Sequence, residues 1–221
     1  AKMRNLTSAF IGGIIFNFAN LLLVIAIEIA GMAIAFPIGI GIALVLGVFT
    51  NYIAQPEGDP LILIIGVILV AVAILIDGIA YKKILQKTNE NPLKGILFSV
   101  SAGIAMGFFY KYVAASMATD FIIPEAGKLT PYSALVIFSL GIIISSFLFN
   151  TINMYRPFSG EKVSFSDYFT MGNTKLHLIG ILGGVIWGIG MSFNIIASDQ
   201  AGPAIAYGLG QGATLVAAIW G

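Results

Sequence analysis

Long apolar runs, separated by short clusters of charge, proline and glycine, divide the chain into seven segments. Their cores fall at 8–27, 31–53, 61–82, 94–117, 132–153, 177–197 and 203–221. Each is close to the roughly 20 residues that a helix needs to cross a bilayer. The runs are continuous instead of alternating over about ten residues, which excludes a transmembrane β-barrel. The connections read as turns: Gln55-Pro56-Glu57-Gly58-Asp59-Pro60, then Thr88-Asn89-Glu90-Asn91-Pro92, then 124–131. The longest connection, 156–175, sets Phe158, Phe165, Tyr168 and Phe169 among charges and is expected to lie along the membrane interface. The pattern predicts an all-α membrane protein, a polytopic bundle of seven transmembrane helices.

Composition narrows the class further. Of 221 residues, 58% are hydrophobic and 10% charged, with a mean hydropathy of +0.98. Soluble domains hold roughly 25% charged residues, so that class is excluded. A formal net charge of +1 likewise excludes a nucleic-acid-binding domain. There is no cysteine for thiolate chemistry, and a single histidine, His177, cannot form a metal site by itself. No cofactor is expected. Of the 11 Lys and Arg residues, Lys82, Lys83, Lys87, Lys94, Arg156, Lys162 and Lys175 fall at one end of the helices, and Lys2, Arg4, Lys111 and Lys128 at the other. That bias places the 83–93 and 154–176 loops in the cytoplasm of a cell-membrane protein.

The chain also resembles itself. Shifted by 171 residues, segment 12–50 lies on 183–221 without a gap. Gly12-Gly13 meets Gly183-Gly184, Glu28 meets Asp199, and Ala30-Gly31 meets Ala201-Gly202. Phe36 meets Tyr207, and Gly39 and Gly41 meet Gly210 and Gly212. The spacing of the glycines and of the acidic pair carries more weight than the count of matches. Helices one and two thus recur as helices six and seven. Five helices is an odd shift, so the two copies would cross the membrane in opposite senses. Inverted repeats of this kind are typical of secondary transporters, with the site near the midplane between halves.

Four stretches carry a resemblance to a known family. They are Gly12-Gly13 through Asn17-Phe18-Ala19-Asn20-Leu21 to Gly31; Lys94-Gly95 to Tyr110; Asn150 through Tyr155-Arg156-Pro157 to Tyr168; and Gly183-Gly184 through Gly190, Ala201-Gly202 and Gly210 to Trp220-Gly221. In these the chain resembles the drug/metabolite transporter superfamily, in its ureide permease and sugar-uptake-like branch. The resemblance implies ten helices arranged five plus five, of which this chain would supply the third to the ninth. Residues 1–90 would then be the rest of the first half, with three helices, and 91–221 the second half, with four. It also implies ureides, nucleobases or sugars as substrates.

Polar groups inside hydrocarbon are functional candidates by default. Asn17 and Asn20 share a face of helix one; the plain alternative is interhelical hydrogen bonding, worth about 0.6 kcal/mol on average. Tyr207, Gln211 and Thr214 form a stripe on helix seven whose repeat mates, Phe36, Ile40 and Ala43, are apolar. Trp187 and Asn194 on helix six are expected to line the same cavity, although an indole also fills helix crossings. These seven residues are the expected substrate ligands. Glu28, Asp199 and Asp77 are the carboxylates that could carry a coupling proton or sodium ion; the alternative for the first two is capping of the following helix at the membrane surface. Lys111, between Tyr110 and Tyr112, reads as an interfacial anchor. Gly208-Leu209-Gly210-Gln211-Gly212 lacks the strand and the Gly-Lys-Ser/Thr ending of a phosphate loop, so its glycines are assigned to packing. No HExxH, nucleophile elbow or acidic cluster points to an enzyme. The expected function is ion-coupled secondary transport of a small polar metabolite. The alternatives are a passive channel for small neutral solutes and a drug/metabolite efflux permease.

Overall fold

A computed structural model describes residues 1–85 and 92–217, with the side chains of 74, 75, 77–92 and 215–217 left undescribed. It contains eight helices: α1 Met3–Ala30, α2 Met32–Ala54, α3 Pro60–Leu85, α4 Pro92–Ser116, α5 Pro131–Tyr155, α6 Phe165–Thr170, α7 Thr174–Ala201 and α8 Pro203–Ala217. Among the described residues, α1, α2, α4, α5 and α7 are long and apolar enough to cross a membrane. The expected count of seven helices is corrected by α6, a six-residue helix inside the 156–175 connection. Ser164 starts it: its hydroxyl accepts the Asp167 N–H while the Asp167 carboxylate accepts the Ser164 N–H. These bonds from Ser164 hold the Asp167 carboxyl below the usual carboxylate range.

In the segments related by the 171-residue shift, α1 and α7 have the same length and end at the same kind of corner. Both α1 and α7 hold 28 residues, and their first and last residues differ by 171 in number (174 − 3 and 201 − 30). Each ends at a glycine with a backbone angle that side chains rarely tolerate: Gly31 at φ 83°, ψ 155° and Gly202 at φ 76°, ψ 154°. Gly31 N–H donates to Ile27 O at 2.8 Å, and Gly202 N–H to Ser198 O at 3.1 Å. The next helix restarts on the glycine carbonyl, with Ala35 N–H and Ala206 N–H each 3.0 Å from it. A contact inside the pairs recurs as well. A Cβ on Gly39 would meet Leu23 of α1, and a Cβ on Gly210 would meet Asn194 of α7, the residue 171 further on.

Helices α1 and α7 run in opposite senses, and the α1–α2 and α7–α8 pairs have unlike surroundings. Lys2 N–H bonds Gly127 O at 2.8 Å, and Phe121 N–H bonds the Asp199 carboxylate at 3.0 Å. One loop, 117–130, therefore touches the start of α1 and the end of α7. α1 packs mainly on α4 and α5, and α2 mainly on α4 and α8. Glycines set these distances. A Cβ on Gly13 would strike the carbonyl of Phe138, and one on Gly141 the carbonyl of Phe10. Gly183 and Gly184, the mates of Gly12 and Gly13, meet nothing within 4 Å. Accordingly 44% of the most apolar stretch of α1 is buried but only 6% of that of α7.

Gly141→Ala should therefore lower the thermal stability of the detergent-solubilised protein by about 1–3 kcal/mol, because backbone carbonyl cannot move aside as a side chain can. The better helix propensity of alanine returns at most about 1 kcal/mol. Gly183→Ala, with open space around it, should leave the melting temperature unchanged or raise it slightly.

Candidate functional site

The site forms where α7 and α8 meet α4. Corner Gly202 turns the chain so that α8 returns alongside α7, and Asn194 closes the pair by donating its side-chain N–H to Ala206 O of α8. Gly210 lies against that amide, at 2.6 Å from a notional Cβ, so a larger residue would push the helices apart. Against this pair lies a cavity of about 400 Å³ lined by Phe109, Trp187, Gly190, Met191, Asn194, Tyr207, Gly210, Gln211, Ala213 and Thr214. That volume lies in the range of about 300–1,000 Å³ typical of small-molecule sites. Trp187 is near the midpoint of α7, which puts the cavity at mid-depth of the bundle.

Five of the seven residues expected to contact substrate converge here: Trp187, Asn194, Tyr207, Gln211 and Thr214. They do not offer the same chemistry. The Tyr207 hydroxyl is already engaged, donating toward Ala43 O at 3.1 Å and Met106 O at 3.0 Å, and the residue is buried. Tyr207 thus contributes a ring, not a free hydroxyl. The Thr214 hydroxyl donates to Gly210 O at 3.1 Å and keeps its lone pairs. Asn194 uses its N–H on Ala206 and keeps its carbonyl oxygen. The Gln211 amide makes no hydrogen bond among the described residues, leaving two donors and an acceptor beside the cavity. Trp187 stacks on Phe16 with centroids 4.7 Å apart and planes at 25°.

Phe16 and Trp187 are mates under the 171-residue shift. A second shell of rings fixes them: Phe16 meets Phe109 at 5.1 Å and Phe138 at 5.7 Å, and Phe109 meets Tyr207 at 5.9 Å. Phe109 belongs to the cavity wall but sits in a Phe108-Phe109-Tyr110 run where no spacing signal distinguishes it. Tyr110 adds a bond from its hydroxyl to Asn194 O at 3.4 Å.

The remaining expected residues lie elsewhere. Asn17 donates to the Ser145 hydroxyl of α5 at 2.9 Å, the interhelical bond that was its plain alternative. Asn20 is exposed, and neither lines the cavity. Glu28 is exposed at the end of α1, and Gly31 starts α2 without any side-chain cap. Asp199, half-buried, accepts the N–H of Phe121 in the 117–130 loop and lines a small recess with Gln55, Glu57, Thr119 and Ser198. These two carboxylates stand at opposite ends of the bundle and outside the cavity. Asp77 is on α3, and its side chain lies outside the described residues. No group of His, Cys, Asp and Glu among the described residues could hold a metal ion.

Tyr207→Phe should lower stability by about 1 kcal/mol, the worth of an ordinary intramolecular hydrogen bond, and keep the ring in the cavity wall. Thermal unfolding would show the loss. Gly47→Ala should be more damaging, since its Cβ would overlap the pinned Tyr207 ring.

No curated protein and no solved structure matches the chain. The family described as "Sugar transport protein" matches it over residues 1–221. With a match along the whole chain, and with a helical architecture in which five helices can cross a bilayer, the protein belongs to the sugar transport protein family.

Proposed function

We propose that the protein is a secondary transporter that carries a sugar or sugar-like polyol across the cell membrane by alternating access, with the α7–α8 cavity as its substrate site. The observation that carries this reading is the lining of that cavity. An indole and two further rings stand beside an unengaged carboxamide, a carbonyl oxygen and a hydroxyl. A sugar presents an apolar face of C–H groups and a rim of hydroxyls that both donate and accept. Trp187 suits the face, and Gln211, Asn194 and Thr214 suit the rim. Nucleobases and ureides also present amide edges, so they stand as the second substrate class.

The 171-residue shift supports the mechanism. The equal lengths of α1 and α7, the matching glycine corners and the paired contacts Gly39–Leu23 and Gly210–Asn194 fit a five-plus-five inverted repeat of the drug/metabolite transporter type. A residue beside a two-fold axis touches its own mate, as Phe16 and Trp187 do. In this arrangement 1–90 belongs to the first half and 91–221 to the second, and the bare Gly183-Gly184 face of α7 corresponds to the face of α1 that α4 and α5 cover. Two similar halves of opposite sense have nearly equal inward-facing and outward-facing forms, which alternating access needs. Coupling to a proton or to sodium completes the proposal. Asp199 is the acid best placed for it, five residues beyond Asn194 on the same helix.

Uptake of radiolabelled hexoses and pentoses into proteoliposomes tests the reading. Saturable uptake is expected, reduced about tenfold or more in kcat/KM by Trp187→Ala and Gln211→Ala, with both variants folded. A flux linear in concentration would instead mark a passive channel. Uptake indifferent to imposed pH and sodium gradients would remove the coupling while leaving the site.

A further inference from the structure

At the end of the bundle where α1 begins and where α2 and α4 finish, a second cleft of about 620 Å³ opens, sharing no wall residue with the Trp187 cavity. Met3, Arg4, Thr7, Ser8, Ile11, Ala54, Lys111, Tyr112 and Ala115 form its walls. Two of these residues are cations. Among the described residues neither Arg4 nor Lys111 has a carboxylate partner, and the first turn of α1 contains no acid. The unbonded N–H groups at that helix start add to the positive potential.

Lys111 is not a freely extended surface lysine. It lies five residues before the end of α4, which is about 7 Å inside the helix terminus at 1.5 Å per residue. Its ammonium sits 5.0 Å from the Phe108 centroid and 5.4 Å from that of Tyr112, and the side chain is half-buried. Arg4, in the first turn of α1, approaches the same space from the water side. The floor is apolar at Ile11, about two turns deeper in α1 than Arg4, while Ala115 stands one residue from the end of α4. The polar groups nearby are partly engaged: Ser8 Oγ donates to Tyr112 O at 2.7 Å and Thr7 Oγ1 to Met3 O at 3.0 Å. Charge distribution sharpens the point. Of the four cations that the sequence assigns to this end, two line one cleft.

We propose that this cleft binds one anionic phospholipid, with Arg4 and Lys111 holding its phosphate and the apolar floor taking the start of an acyl chain. Two cations facing one cleft favour a phosphate by charge alone, the same attraction that lets basic pockets on the cytoplasmic side of membrane proteins bind anionic headgroups. A zwitterionic lipid is disfavoured, because its own cation would face Arg4 and Lys111.

Native mass spectrometry of the purified protein, titrated with phosphatidylglycerol or phosphatidylcholine, reads the proposal. A single saturable phosphatidylglycerol adduct is expected, with phosphatidylcholine binding much more weakly. Arg4→Gln and Lys111→Gln should each weaken the adduct about fivefold, and Lys111→Arg should retain it. Lys128→Gln is the control, since Lys128 lies at the same end and is not a wall residue, its ammonium being held by the main-chain O of Ala115. Equal loss in the Lys128 variant, or no preference between the lipids, would overturn the proposal. A thermal shift with inorganic phosphate that is as large as the phosphatidylglycerol shift would overturn the lipid as its source. Circular dichroism of each variant separates misfolding from lost binding, and a folded Arg4→Gln that binds as tightly as wild type would also sink it.

Discussion

Close backbone approach at glycine is the constraint on which the rest of this protein depends. In a bilayer, apolar side chains gain nothing by leaving lipid for protein, so helices associate through dense contact and a few hydrogen bonds. Here that contact is achieved where α1 crosses α5 at Gly13 and Gly141, and where α2 and α4 meet through Gly39, Gly103 and Gly107. At the first crossing each notional Cβ would strike the opposing main chain. Such positions cannot be relaxed by a rotamer change. They fix the spacing of α1, α2, α4 and α5, and the apolar residues around them fill what remains.

The site inherits its shape from that spacing through a chain of rings. Gly47 on α2 leaves room for Tyr207 of α8, and the Tyr207 hydroxyl then reaches carbonyls of α2 and α4 together. This hydroxyl bonds helices at mid-depth, where leaving it unpaired would be costly. Phe109 connects Tyr207 to Phe16, and Phe16 supports Trp187. Five helices therefore contribute to the position of one indole. The carboxamide of Gln211 is the exception, a polar group beside the cavity with no intramolecular hydrogen bond among the described residues. Its partner is free to be a ligand.

Much of this was legible in the chain, and the failures have physical causes. Apolar runs bounded by proline and glycine located the long helices, because hydrocarbon admits few alternatives to a helix. The repeat located both corners, since only glycine accepts their backbone angles. The polar stripe Tyr207, Gln211, Thr214 was visible because its mates are apolar. By contrast, Asn17 and Asn20 shared a helical face with no indication of what covered it; Asn17 met Ser145, and Asn20 met no protein wall. Phe109 was hidden because one ring in a run of three carries no periodic signal. Helix α6 was hidden because six residues are too few to show a period, although the Ser164-Asp167 capping pair was present in the sequence. Glu28 and Asp199 were read from their correspondence under the 171-residue shift, which does not speak to proximity.

The differences between the copies bear most directly on function. The α1–α2 and α7–α8 pairs share the length of their first helix, a glycine corner and an internal contact, so their substitutions can be compared position by position. At the contact itself, Leu23 against Gly39 becomes Asn194 against Gly210. Phe16 becomes Trp187, and Phe36, Ile40 and Ala43 become Tyr207, Gln211 and Thr214. These five changes add hydrogen-bonding capacity and their second-copy residues line one cavity, while Asn17 and Asn20 give way to Gly188 and Met191, the latter also in its wall. Packing alone does not call for this, because the first copy makes the equivalent Gly39–Leu23 contact with an apolar residue. Polar groups inside a membrane are expensive to keep. Their concentration on one side of a shared scaffold, around space for a small molecule, is the pattern that a polar solute crossing through the protein would require.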